Sequence, residues 1–299
     1  MSAISIAGTA GSPESSPQAG IGERAQPRRR RQWTRQPALI AGLAIIGVIL
    51  FMVIAAPLLT SYNPDAQNLT AALSGFSSHH LLGTDQEGRD TFTRLLYGGR
   101  IDLQVAFIAV LFPFVLGTIL GSLAGYFGGW VDIIIMRIVD IVVAFPFFVL
   151  IIALVFVLGP GERSIYIAIT LVGWVSYARI IRGEILVAKR QEYVLAAQSG
   201  GLSNLRIMGR HLLPNVITQA IIYAMSDIVQ DILAIVTLSY IGLGIQPPTA
   251  DWGTMISDGQ NFLTTHWQLT TIPGLAVVIT GLGLSLIGDG LADLLRPGQ

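Results

Sequence analysis

Asp227 and Asp231 stand one helical turn apart inside an otherwise apolar run. On a helix both carboxylates share one face, with Ile235 a further turn along. Acids within a membrane span are costly, and they face a cavity or a partner. No convergent catalytic set accompanies them. There is no cysteine, which excludes disulfides, thiol nucleophiles and cysteine-based zinc sites. There is no H-E-x-x-H and no G-x-S-x-G. His79 and His80 with Asp85 can be drawn as a metal site, but adjacent histidines in a polar loop are more often simply solvated. We assign no catalytic residue and no metal. A nucleotide-binding G-x-x-x-x-G-K-[ST] loop needs a lysine that reaches the phosphates. Lys189 is the only lysine, and it follows Leu186-Val187-Ala188 and precedes Arg190. The chain can therefore hydrolyse ATP only through another chain.

The surroundings of these residues are those of a membrane. Of 299 residues, 52% are hydrophobic and only 12% charged, about half the charge of a soluble domain. Mean hydropathy is +0.64. Net charge is zero, which suggests no nucleic-acid partner. A span needs roughly 20 apolar residues. Six runs qualify, at about 39–59, 103–125, 133–158, 164–182, 216–243 and 272–291. The fourth is the weakest, since Arg179 and Arg182 intrude at its end and must snorkel. The spacing predicts an all-α polytopic membrane protein with six transmembrane helices.

Residues 1–33 are too polar to offset ordering entropy and read as a disordered tail. Arg28, Arg29, Arg30 and Arg31 beside the first span hold that tail on the cytoplasmic side. Six spans then return the C-terminus to the cytoplasm. Residues 34–102 hold the first transmembrane helix and an external loop. Residues 103–299 form the core, with a cytoplasmic loop at 183–215. That loop carries Lys189, Arg190, Arg206 and Arg210, as the positive-inside rule requires. The external loop fits less well, because Arg89, Arg94 and Arg100 lie in it among acids. Asp85–Arg89 and Asp90–Arg94 are spaced i, i+4, which suits ion pairs on a short helix. Phe92, Leu95 and Leu96 could lie in the membrane interface. This segment is either a cap on the bundle or a docking surface. Arg137 and Asp140, i and i+3, suit a local pair. Asp289, Asp293 and Arg296 either touch a partner or are solvated.

The cytoplasmic loop reads EYVLAAQSGGLSNLRIMGRHLLPN from Glu192 to Asn215. Glu192 to Ser199 are good helix formers. Gly200-Gly201 can end that helix with a positive φ, and Ser203 or Asn204 can cap a second helix running into span five. Ala196 and Ala197 give the first helix a smooth surface. Taken alone, the stretch is equally a contact surface or an ordinary connection.

The stretch resembles the coupling loop of binding-protein-dependent ABC importer permeases, whose pattern is Glu-Ala-Ala, three residues, Gly, then Leu-Pro. Ala196, Ala197, Gly201, Leu213 and Pro214 stand at matching positions. The dipeptide/oligopeptide branch, C-type subunit, is closer still: Glu192-Tyr193-Val194, Leu205-Arg206-Ile207, and Arg210 to Asn215. LGTDQEGRD at Leu82 to Asp90, GYFGGWVD at Gly125 to Asp132, IGLGIQPPTADWG at Ile241 to Gly253 and GDGLADLL at Gly288 to Leu295 are similar to that branch. The resemblance runs from about residue 38 to the end.

The resemblance implies a type I ABC importer permease in the bacterial plasma (inner) membrane, lodged in lipid, with both termini cytoplasmic. It implies a homologous second permease, one or two ATP-binding subunits holding ATP and magnesium, and an extracytoplasmic substrate-binding protein. No cofactor belongs to this chain. Glu192, Tyr193, Leu195, Ala196, Ala197, Gly201, Arg206, Leu213 and Pro214 would form the ATPase-coupling site. Leu195 departs from the pattern, since the family's first position there is Glu. Asp227 and Asp231 either line the translocation path, near a peptide's amino group, or are buried against a partner's arginine or placed near an interface. A secondary transporter complete in one chain is the alternative. It calls for inverted repeats and discontinuous spans, and no internal repeat is evident.

Overall fold

The structure, a computed structural model, describes residues 37–295. The expected tail at 1–33 with its arginine run, and Arg296, lie outside the described residues. Regular structure among those residues is helical, apart from one isolated β-bridge between Thr84 and Asp90.

The helices follow the apolar runs, with two instructive departures. Helices α1 (Pro37–Ile54) and α2 (Ala56–Leu59) share the first run. Helix α3 spans Thr91–Phe127, beginning well before the apolar run expected at 103. Its start is set by Asp90, whose carboxylate accepts from the backbone N–H of Thr93 at 2.8 Å, a cap that hydropathy cannot reveal. At 37 residues, α3 is about 55 Å long, longer than a bilayer core is thick. It therefore joins two zones at opposite ends of the bundle.

The run expected as one span at 133–158 is broken. Helices α4 (Gly129–Val143) and α5 (Phe147–Leu158) are bent by 89°. Pro146 sits at the cap position of α5, and the residue before a proline is pushed out of helical geometry. The remaining helices are α6 (Glu162–Ala188), α7 (Glu192–Ser199), α8 (Asn204–Ile207), α9 (Leu213–Tyr240), α10 (Trp252–Gly259) and α11 (Gln268–Leu295). Among the described residues five helices are long and apolar enough to cross a membrane, and six spans result if the bent pair counts as one.

Close packing of α3 on α6 organises the core. Gly117, Gly121 and Gly125 recur every fourth residue on α3 and face α6. A Cβ on Gly117 would collide with the Trp174 carbonyl oxygen, and one on Gly121 would lie 2.5 Å from that of Ala178. In lipid, where apolar surface gains nothing by leaving water, such close backbone approach is what holds helices together. Helix α1 seats on α11 in the same way, with Gly42 against the backbone of Gly283.

Candidate functional site

One end of the bundle is closed by the segment between α2 and α3. Arg89 is buried there, its Nε 2.6 Å from Asp85 Oδ2, its Nη1 3.1 Å from Glu87 and its Nη2 3.6 Å from Asp258. Arg94, also buried, donates to the Pro64 carbonyl at 3.0 Å and lies 3.5 Å from Asp85. Burial pushes the Asp258 carboxyl above the usual carboxylate range, and Arg89 and Arg94 oppose that shift. The Asp85–Arg89 pair forms, but on a tight loop rather than a helix. Asp85 Oδ1 accepts from the N–H groups of Glu87 and Arg89. Asp90 does not pair with Arg94. It caps α3 and takes His80 Nδ1 at 2.9 Å, so His80 turns to Asp90 rather than Asp85. Leu96 is buried instead of lying at an interface. These are cap contacts, and they hold Pro64, Asp85 and α10 on the top of α3.

The opposite end carries the Glu192–Asn215 stretch. It forms helix, turn and helix as the sequence predicts. Gly200 N–H bonds the Ala196 carbonyl at 2.9 Å, Leu202 N–H bonds that of Ala197 at 3.2 Å, and Gly201 takes φ 74°. That positive φ reverses the chain, which glycine permits without a steric cost. Ser203 occupies the cap position of α8 with no side-chain hydrogen bond. From α8 the backbone passes through a π-helical turn at Met208–Leu212 straight into α9. Pro214 lacks the N–H that a continuous α-helix requires, and a π turn just before it absorbs the mismatch.

Burial divides this stretch into a root and a face. Val194, Ile207 and Leu212 are fully buried against Tyr177, Ile181 and Ile185 of α6. Ala197, Leu202 and Leu213 pack partly against the same group. Glu192, Tyr193, Leu195, Ala196, Gly201, Arg206 and Pro214 are exposed. Leu195 is 49% exposed and Leu205 72%, apolar side chains that this chain covers only in part. Two residues that motif spacing did not single out fix the root to α3. Tyr126 donates its hydroxyl to Asn204 Oδ1 at 2.8 Å, and Lys189 Nζ donates to the Gly125 carbonyl at 2.9 Å. The GYFGGWVD block had marked Gly125 and Tyr126 without these contacts. Arg182 Nη2 donates to Asp132 Oδ2 of that block at 2.6 Å. Arg137 and Asp140 are both exposed on α4, and they are not among the described ion pairs.

Between the ends, α6 and α9 flank a wide-open surface cavity of about 520 Å³ lined by Arg179, Gly183, Glu184, Gln219, Tyr223 and Ser226 among others. Asp227 and Asp231 do not line it. They are 7% and 1% exposed, enclosed behind its wall. Asp227 accepts from the Tyr177 hydroxyl at 2.7 Å, and Tyr177 meets the ring of the cavity-lining Tyr223 edge to face at 5.0 Å. Neither acid is paired with a basic side chain among the described residues.

The family profile described as "Binding-protein-dependent transport system inner membrane component" matches residues 117–299. That described as "N-terminal TM domain of oligopeptide transport permease C" matches residues 28–77. The dipeptide transport system permease protein DppC of Alkalihalophilus pseudofirmus is 40% identical over 267 residues, covering 89% of this chain and 88% of that protein. The oligopeptide transport system permease protein OppC of Bacillus subtilis is 40% identical over 259 residues, 86% of this chain and 85% of its own. The glutathione transport system permease protein GsiD of Pectobacterium atrosepticum is 36% identical over 270 residues, 89% of each. Among solved structures, an inward-facing conformation of the MetNI methionine ABC transporter superposes with a TM-score of 0.54 at 17% identity. The match covers 68% of this chain and 97% of that one, a likeness of fold.

Proposed function

Because this chain belongs to the binding-protein-dependent transport system inner membrane components and is a multi-pass membrane permease, we propose that it serves a peptide importer as one of two permeases. The relatives named for dipeptides and oligopeptides match nearly end to end, and that length of match supports a peptide cargo. ATP and magnesium belong to one or two ATP-binding subunits at the Glu192–Asn215 end. A substrate-binding protein docks at the capped end. The membrane is the bacterial inner membrane, with both termini cytoplasmic.

The observation that carries the coupling role is the split between buried root and exposed face. Val194, Ile207 and Leu212 lock α7 and α8 to α6 and α9. A push on Tyr193, Leu195, Ala196 or Arg206 is therefore passed to the two helices that flank the cavity rather than absorbed by a slack loop. Leu195 offers the ATPase an apolar side chain where the family pattern has a carboxylate. The matching groove in its partner is accordingly apolar at that point.

Asp227 serves the path from behind its wall, with Asp231 buried one turn along. Asp227 fixes the Tyr177 hydroxyl, and Tyr177 in turn sets the ring of Tyr223 at the cavity surface. Reconstitution of the chain with its second permease, ATPases and binding protein tests the whole reading. ATP-dependent accumulation of a labelled dipeptide in proteoliposomes is expected. Uptake by this chain alone, driven by an ion gradient, would overturn it in favour of a self-sufficient transporter.

A further inference from the structure

Where α10 meets α3, two carboxyl groups share one enclosed space. Asp102 and Asp251 are both 0% exposed. Asp102 lies about three turns into α3. Its Oδ2 accepts from the backbone N–H of Trp252 at 2.9 Å, and its Oδ1 has no partner at all. Asp251 opens α10. Its Oδ1 accepts from the N–H groups of Gly253 and Thr254 at 2.9 and 3.1 Å, and its Oδ2 from the Thr254 hydroxyl at 2.6 Å. Every donor at the pair is neutral. The backbones are pressed together here, since a Cβ on Gly98 would come within 3.0 Å of Asp251 Cα. The carboxyls cannot reach water without parting the joint.

None of the described ion pairs reaches Asp102 or Asp251. On α3, Arg94 is held by the carbonyls of Pro64 and Pro248 and by Asp85, and Arg100 is exposed. Arg89 turns to Asp85, Glu87 and Asp258, the last at the far end of α10. Helix α9 brings Ser239, which accepts from the N–H of Ile245 and donates to Asp251, and Tyr240, which faces Gln260. Helix α11 presents Gln268 and Thr270 at this end, and α1 presents Val53 against Gly99.

An enclosed carboxylate without a counter-charge is strongly disfavoured, and two side by side cannot both ionise cheaply. Burial pushes the Asp251 carboxyl above its ordinary range. We propose that Asp102 and Asp251 together bind one proton, and that this proton closes the joint between α3 and α10. Protonated at Oδ1, the oxygen without a partner, Asp102 brings no charge into the joint. When the proton leaves to bulk water, two negative charges remain in a space sealed from solvent, and the joint opens. The site stands whether or not the transported solute is a peptide.

The sign follows from linkage. The folded chain binds more protons here than the unfolded chain, so this stability is present at low pH and is lost as pH rises through the folded value. The test uses the full chain in lipid nanodiscs, with Tm read by tryptophan fluorescence from about pH 6 to about pH 9. Asp102→Asn keeps an oxygen for the Trp252 N–H and supplies a permanent donor, mimicking the protonated acid. Its Tm is expected to exceed that of the wild type by several degrees at the alkaline end, with the gap closing as pH falls. A gap that does not change with pH, or a variant less stable at the alkaline end, overturns the proposal. Should Asp102→Asn fail to insert, Asp102→Ser, which also carries a neutral donor, is held to the same two outcomes.

Discussion

The hydroxyl of Tyr126 donates to Asn204 Oδ1 at 2.8 Å, tying the last turn of the longest helix to the first residue of α8. The same α3 begins at the cap, so one rigid element connects both ends of the molecule. Tyr126→Phe removes only this bond. A neutral hydrogen bond contributes about 1 kcal/mol, so substrate-stimulated ATP hydrolysis of the assembled transporter should fall by about fivefold while assembly is kept. Unchanged stimulation would remove Tyr126 from the coupling route.

The α3–α6 seam makes a sharper prediction. Gly121→Val places carbon where the Ala178 carbonyl oxygen stands, 2.5 Å from the new Cβ. Overpacking of a dense interior costs about 1–3 kcal/mol and more when backbone must yield. The variant should lose many degrees of Tm or fail to accumulate. Gly47→Ala on α1, with nothing within 4 Å of its Cβ, should behave as wild type.

Arg94→Met tests the cap. It takes the donor from two backbone carbonyls and leaves Asp85 paired with Arg89 alone. A buried acceptor left unsatisfied costs about 1–3 kcal/mol. Proteolytic cleavage within residues 60–90 should accelerate strongly. Arg137→Met, at an exposed position, should change stability by less than about 0.5 kcal/mol.

Cysteine-free as it stands, the chain suits single-thiol crosslinking. Ala196 is exposed, whereas Ala197 packs partly against the buried root. Ala196→Cys should capture an ATP-binding subunit in the assembled complex, and far more efficiently than Ala197→Cys. Equal yields from both would mean that α7 docks by another face.

Leu195→Ala separates docking from folding. The side chain is half exposed in this chain, so its own Tm should stay put. Burial of its exposed half on docking is worth about 1 kcal/mol. ATPase binding should therefore weaken by about fivefold, and Leu195→Glu should weaken it further. Unaltered affinity would sink the apolar-seat reading of this position.

The sequence alone determined the membrane class, the all-helical fold and the helix–turn–helix at Glu192–Asn215. Each rests on local chemistry: apolar runs long enough to span, helix formers ended by Gly200-Gly201, and absent nucleotide and catalytic motifs. Motif blocks also marked both ends of the molecule. Spacing also found the Asp85–Arg89 pair, whereas tertiary structure alone decided the partners of Asp90 and Arg94. Asp90 caps α3 and binds His80, and Arg94 reaches Pro64, thirty residues back, because hydrogen bonds form between groups brought together by folding, whatever their spacing in sequence. It also enclosed Asp227 and Asp231. Helical periodicity puts both on one face of α9, but only the packing of α6 decides that this face meets Tyr177 and not the cavity.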